Sequence, residues 1–362
     1  RIEGAVAGTK GLSLFIVPRY LAGVDNHVRL VGLNHKMGYR GTVNGALNFG
    51  GNVPCVGELL GPLHGGMACM FQMMNEARIA VGIGAAAIGW RGYQIARDYA
   101  HERTQGRRLN QPDPANPPVP IIEHADVKRM LIKARAQSEA ALALCLYGAQ
   151  LIDQPNDKAA QQRLGLLTPI MKSWPSKYAL EANDLAIQVL GGAGYTQDWL
   201  VEKLYRDNRL NPIHEGTHGI QAADLLGRKV LMEDGRGLAL LAARIQATIE
   251  KTKSQSELKG HADALGKALQ QVSAATQAAW ATGNPQDALA NAVPYMQAFG
   301  HTVLAWIWLD VAHVSIDPGA TNSITARAGI QGATAYFYAY ELPKITAWLA
   351  VVESRNLLCA NL

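Results

Sequence analysis

Apolar and polar positions change their spacing twice along the chain. From residue 1 to about 56 they come in short β-like runs, Leu12-Ser-Leu-Phe-Ile-Val17 and Val28-Arg-Leu-Val-Gly32 among them, broken by Gly, Pro and Asn. That pattern predicts strands joined by tight turns. From about Gly61 the spacing becomes helical: Met67–Thr104 has no breaker but glycine, Glu123–Ile152 carries a long Ala- and Leu-rich period, and Leu166–Leu190 and His218–Glu233 follow. Four such segments predict a four-helix bundle. Asn110–Pro120 holds too many prolines for a helix, because each fixes φ and lacks a backbone donor, and Asp153–Gln162 reads as a polar surface loop. Past Asp234-Gly-Arg-Gly237 a second Ala-rich amphipathic block runs to Leu362, with turns expected at Gly283-Asn-Pro285 and Asp317-Pro-Gly319. The expected fold is mainly α: a partial β domain over 1–56, a four-helix-bundle domain over 57–233, and a helical extension over 234–362, docked or appended.

A chain of 362 residues, 48% hydrophobic and 17% charged, is long enough to bury a large core across two or three domains. The formal charge of +5 is spread without a run of five basic residues, which argues against a nucleic-acid arm yet suits a ligand rich in phosphates. Cys55, Cys69, Cys145 and Cys359 form no C-x-x-C pair, so neither a cysteine metal site nor a secreted disulfide scaffold is expected, and a cytoplasmic location is. The most apolar stretch, Thr302–Val314, is interrupted by Asp310, so no membrane span is expected. The opening Arg1-Ile-Glu-Gly reads as sequence from within a domain, and the chain is expected to be part of a longer protein.

The densest chemistry lies between Gln188 and Glu215: Gln188-Val-Leu-Gly191-Gly192-Ala-Gly194-Tyr195, then Val201-Glu-Lys-Leu-Tyr-Arg206-Asp207, then His214-Glu215-Gly216-Thr217. Pro212 upstream and Gly216 downstream put Glu215 on a turn entering the next helix, where a carboxylate can project into a cleft. Read alone, Glu-Gly-Thr is first of all a solvated glutamate favoured at a helix start by the macrodipole. The letters His214-Glu-Gly-Thr-His218 also spell H-E-x-x-H, a zinc-protease pattern with Asp224 as a possible third ligand. Against zinc, Pro212 leaves His214 at the extreme start of the helix and Gln221 stands where the longer motif has glycine.

Taken together these intervals resemble the carboxyl-terminal half of the acyl-CoA dehydrogenases. The resemblance implies that Glu215 is the base removing the α proton of an acyl thioester, and that Gln188, Gly191 and Gly192 touch the adenine end of an FAD held mainly by another subunit. It implies further that Thr217 reaches the cofactor and that Arg103 and Gln105, in His101-Glu-Arg-Thr-Gln-Gly106, meet its pyrophosphate. Arg78 and Gly216 would lie on the substrate side. Taken singly, Arg103 reads as a surface charge, Gly191-Gly192 as a turn and Arg78 as one half of a salt bridge to Glu76 or another acid. Some members carry the base one residue before Arg78, where this chain has Ala77, and Glu76 would point about 100° away around a helix. Two departures are Gly106, where the family usually has an aromatic, and Gly219, where it usually has glutamine. Residues 9–56 look like the closing strands of the family's middle β domain and 61–233 like its helical domain. The remainder is similar to the extension of a bacterial subgroup that includes the 3-methylmercaptopropionyl-CoA dehydrogenases. The implied activity is flavin-dependent dehydrogenation of an acyl-CoA to a trans-2-enoyl-CoA by a homo-oligomer, with electrons passing to an electron-transfer flavoprotein or another acceptor. The alternatives are the zinc protease and a non-catalytic dimerisation fragment.

Overall fold

The computed structural model describes residues 1–316 and 323–361, the side chain of Gln72 excepted. The expected turn at Asp317–Gly319 lies outside the described residues. Residues 1–77 form one compact unit and 78–362 a second.

In the first unit, β1 (Leu14–Ile16) pairs antiparallel with β6 (Glu58–Leu60), β2 (Tyr20–Leu21) with β3 (Val24–Asp25), and β4 (Val28–Leu33) with β5 (Gly45–Phe49). The β4–β5 register slips between Leu30 and Gly32. One buried amide ties the loops: Asn26 Nδ2 donates to Pro18 O at 2.7 Å and Val56 O at 2.8 Å, while Val56 N donates back to Oδ1 at 2.9 Å. These strands leave Ile16, Val31, Leu33, Leu47 and Phe49 exposed. Paired ribbons of this size bury too little to be stable alone, and both hydrophobic cores are built from residues 79 onward.

The helices are α1 (Gly66–Glu102), α2 (Ala125–Ile152), α3 (Lys158–Leu190), α4 (Leu200–Asn208), α5 (His218–Asp224), α6 (Met232–Thr252), α7 (Lys259–Ala279), α8 (Pro285–Leu289), α9 (Ala292–Ile316), α10 (Ile324–Tyr336) and α11 (Ile345–Ser354). The helices depart from the expected pattern in three places. The supposed loop Asp153–Gln162 gives way to helix at Lys158, because the Asp157 side chain accepts from the amides of Ala159 and Ala160 and caps α3. The segment His218–Glu233 is not one helix: α5 widens into a π turn over Leu225–Lys229. Then Glu233, Asp234 and Gly235 turn left-handed at φ 49°, 54° and 78°, kinking the chain inside α6. Asn110–Pro120 is irregular as expected. Asn284 caps α8 with Pro285 in its first turn, after Gly283 at φ 68°.

Within the second unit, α1 approaches α3 through glycines: a Cβ at Gly82 would lie 2.1 Å from Met171 O, and one at Gly89 2.7 Å from Ala179 Cβ. The extension is docked and shares one core with the bundle. Trp308 Nε1 donates to Ala136 O at 3.1 Å and Trp280 Nε1 to Leu226 O at 3.1 Å. Helix α9 is long and apolar enough to cross a membrane by length and composition, and the fold places most of it inside the protein, with Tyr295, Phe299, Trp306 and Trp308 fully buried. Each such side chain contributes roughly 1.5–3 kcal/mol of transfer free energy, which accounts for its place as the centre of the extension.

Candidate active site

Five of the residues singled out in the sequence converge on one pocket. Arg103 and Gln105, following α1, face Gln188, Gly191 and Gly192, at the end of α3, around a cavity of about 670 Å³ also lined by Tyr99, Gly106 and His124. The proline-rich connector folds back to build it: Gln105 N donates to Val119 O at 2.9 Å, Val119 N to Gly106 O at 3.1 Å and Ile121 N to Arg103 O at 2.8 Å. His124, just before α2, holds Gln105 O at 2.7 Å through Nε2. Helix α3 stops because Gly191 takes φ 60°, which glycine adopts at low cost. No atom lies within 4 Å of a Cβ built on Gly191 or Gly192, so backbone faces open space there. The Arg103 guanidinium bonds Gln105 Oε1 at 3.4 Å, and among the described residues it has no carboxylate partner. An exposed guanidinium of this kind can take two oxygens of a phosphate.

Glu215 belongs to a second group. A chain of buried asparagines leads to it: Asn183 Nδ2 donates to Ile88 O at 3.0 Å, Asn208 Nδ2 to Asn183 Oδ1 at 2.7 Å and Asn211 Nδ2 to Asn208 Oδ1 at 2.8 Å. Beyond Pro212 the backbone reverses through Glu215 at φ 55° and Gly216 at φ 95°, then straightens at Thr217, the cap residue of α5. For glutamate the left-handed region is strained, and such strain persists only where surroundings impose it. Gln221 Nε2 donates to Glu215 O at 2.9 Å, Lys172 Nζ to Gly216 O at 2.5 Å, and Ser173 Oγ shares a 2.5 Å hydrogen bond with His218 Nδ1. Lys172 is fully buried. Burial pushes its ammonium down to about 8, with Arg78 adding to the fall and Glu215 opposing it. Burial also takes His218 down to about 4, helped by Lys177, Lys172 and Arg209.

Arg78 is buried and pairs at 3.2 Å with Asp224, not with Glu76. Thr217 is exposed and does not line the pocket shared by Arg103 and Gly191. The H-E-x-x-H reading fails on geometry. Two imidazoles four residues apart share a face only on continuous helix, and the left-handed turn at Glu215–Gly216 breaks it, with α5 starting at His218. His214 Nδ1 turns back to Leu210 O at 3.1 Å, and Asp224 is occupied by Arg78 and Arg228. Among the described residues no cluster of three metal-ligating side chains exists. Gly106 stands where an aromatic was expected because its φ is 70° and a Cβ would meet the His124 ring at 3.2 Å. Motif reading missed His124, Lys172 and Ser173. Lys172 did leave a signal, as the sole charge within Leu166–Ser176.

A mainly helical chain with an arginine-lined pocket and a carboxylate on a strained turn is compatible with several activities, and comparison with known proteins supplies the class. Residues 64–231 match the family described as the acyl-CoA dehydrogenase C-terminal domain, and residues 241–362 match one described as acetyl-CoA dehydrogenase C-terminal like. The chain belongs to the acyl-CoA dehydrogenase family. It is 33% identical to the broad-specificity linear acyl-CoA dehydrogenase FadE5 of Mycobacterium tuberculosis, over 98% of this chain and 63% of that protein. It is 36% identical to the 3-methylmercaptopropionyl-CoA dehydrogenase of Ruegeria pomeroyi, over 84% of this chain and 54% of that one. The chain thus spans between about half and two thirds of the length of these two relatives. Among solved structures, Caenorhabditis elegans ACDH-11 in complex with C11-CoA shares the fold, with a TM-score of 0.78 at 22% identity, covering 98% of this chain and 58% of that one.

Proposed function

We propose that this chain carries the proton-abstracting residue and part of the cofactor site of a flavin-dependent acyl-CoA dehydrogenase, forming a trans-2-enoyl-CoA. The observation that carries the reading is the convergence of Arg103, Gln105, Gln188, Gly191 and Gly192 on one pocket, in a chain that also holds Glu215 on an enforced turn. These residues fit an FAD: Arg103 offers a guanidinium free of any carboxylate partner among the described residues, and Gly191-Gly192 offer bare backbone facing open space. Bound FAD supplies the acceptor for the hydride leaving the β carbon. Glu215 removes the α proton, and Gln221 and Lys172 keep its turn from relaxing. Arg78, neutralised by Asp224, and Gly216, which adds no side-chain bulk, stand on the substrate side in this reading. Sharing of the FAD site between subunits of a homo-oligomer, and electron delivery to an electron-transfer flavoprotein or another acceptor, complete the proposal.

The test is the full protein and its Glu215→Gln variant mixed with a panel of acyl-CoAs. Flavin absorbance is expected to bleach in the parent and not in the variant. Equal bleaching in both would remove Glu215 from the role of base, and a protein holding stoichiometric zinc and no flavin would overturn the reading.

A further inference from the structure

Nothing in the family motifs accounts for Lys172. It occupies the middle of α3 with no solvent exposure, although a charged side chain is costly to bury without compensation. Its ammonium reaches out of the helix to one acceptor among the described residues, the carbonyl of Gly216, at 2.5 Å. That carbonyl belongs to the residue following Glu215, and it points at α3 because both residues are left-handed. The next residue, Ser173, grips the far side of the same turn through His218 at 2.5 Å. Two consecutive side chains of one rigid helix therefore hold both ends of Gly216–His218, and Gln221 holds Glu215 O from beneath.

We propose that Lys172 is the positioning residue for the Glu215 base: its ammonium fixes the Gly216 carbonyl and locks the left-handed turn that carries the carboxylate. The proposal rests on the reading of Glu215 as the proton acceptor. An apolar residue would fill the space more cheaply, and a neutral amide could supply the donor. What lysine adds is a charged donor, whose hydrogen bond to the Gly216 carbonyl is stronger than a neutral amide's. Arg78 on α1 is the competing cation and is already paired with Asp224. Facing Lys172 from the turn and α5 are Glu215, which favours the ammonium, and His218, which its charge disfavours. With burial lowering the lysine to about 8, its charge and the charge-assisted bond to Gly216 O are present below that pH and fade above it.

The experiment compares Lys172→Met, close in volume and without donor or charge, with Lys172→Gln, which keeps a donor, in the full flavoprotein. Three quantities are measured: kcat and KM for an acyl-CoA across pH, flavin content, and amide hydrogen exchange of residues 214–221. Loss of one charge-assisted hydrogen bond at the base predicts a fall in kcat of roughly ten- to a hundredfold, with KM changed by less than about threefold. Exchange in the turn should quicken, Lys172→Gln should retain more activity than Lys172→Met, and the wild-type decline in kcat above about pH 8 should vanish in both. If Lys172→Met fails to fold, Lys172→Gln carries the same comparison. Unchanged kcat and pH profile in the variants would overturn the proposal, as would unchanged exchange in the turn. A wild-type protein that bleaches with acyl-CoA while Glu215→Gln does the same would instead overturn the base assignment, and the exchange data would still decide whether Lys172 holds the turn.

Discussion

Gly82 and Gly84 lie two residues apart on α1 and face different surroundings, so the same substitution should act on them with opposite sign. A Cβ at Gly82 would stand 2.1 Å from Met171 O and 3.1 Å from Cys145 Sγ, whereas one at Gly84 meets nothing within 4 Å. Either change should gain about 1 kcal/mol from helix propensity. At Gly82 a contact more than an ångström too short must be relieved by parting α1 from α3, which are joined there in a fully packed core. Overpacking of that severity costs about 3 kcal/mol, the upper part of the usual range. The net expectation is a loss of about 2 kcal/mol for Gly82→Ala and a gain of about 1 kcal/mol for Gly84→Ala. For a unit of this size that lowers Tm by roughly 4–8 °C in the first variant and raises it by about 2–4 °C in the second. Scanning calorimetry of the two variants beside wild type reads the difference, with propensity cancelled between them. Because Met171 precedes Lys172, Gly82→Ala should also slow turnover. Equal Tm values for the two variants would refute the account of close α1–α3 packing through glycine.

Other expectations follow from single contacts. Asp157→Ala removes the acceptor for the Ala159 and Ala160 amides and should cost about 1 kcal/mol, read as a lower Tm and faster hydrogen exchange in the first turn of α3. His218, neutral in the fold with its ordinary 6.5 lowered to about 4, leaves the unfolded chain binding more protons between those values. Its contribution to stability is therefore present above about pH 6.5 and lost as pH falls toward 4, and the Tm gap between wild type and His218→Gln should narrow on acidification. A gap independent of pH would contradict the burial argument. Gly106→Ala forces a left-handed alanine against the His124 ring and should cost about 1–2 kcal/mol while lowering flavin content on purification. Retention of full flavin with unchanged Tm would show that the connector is not rigid.

Much of this protein is local and was legible as such. The 3.6-residue period over Met67–Thr104 and Glu123–Ile152 marks α1 and α2 to within a few residues, since burying one face of a helix imposes that spacing. The prolines of Asn110–Pro120 rule out a helix there, and Pro212 with Gly216 place Glu215 on a turn, because each acts on its own φ and ψ. Even the start of α3 was available in Asp157, a cap overlooked among polar neighbours. Other features depend on residues far apart in the chain. Nothing near Arg103 announces Gly191, and their meeting requires α1 and α3 to end together with the connector folded across them. The glycines at 82 and 89 look like weak points of a helix until α3 is laid against them. The kink at Glu233–Gly235 places two non-glycine residues in the left-handed region, a conformation that local preference disfavours and packing imposes. Lys172 is the sharpest case. Its sequence neighbours describe a buried apolar helix, and only the tertiary fold brings a strained carbonyl within reach of its ammonium. Composition, periodicity and the Glu215 motif were determined by the chain itself, because they follow from local sterics and burial. The pocket around Arg103 and Gly191 and the contacts that hold the Glu215 turn were decided by tertiary packing, which alone sets distances between groups that sequence separates.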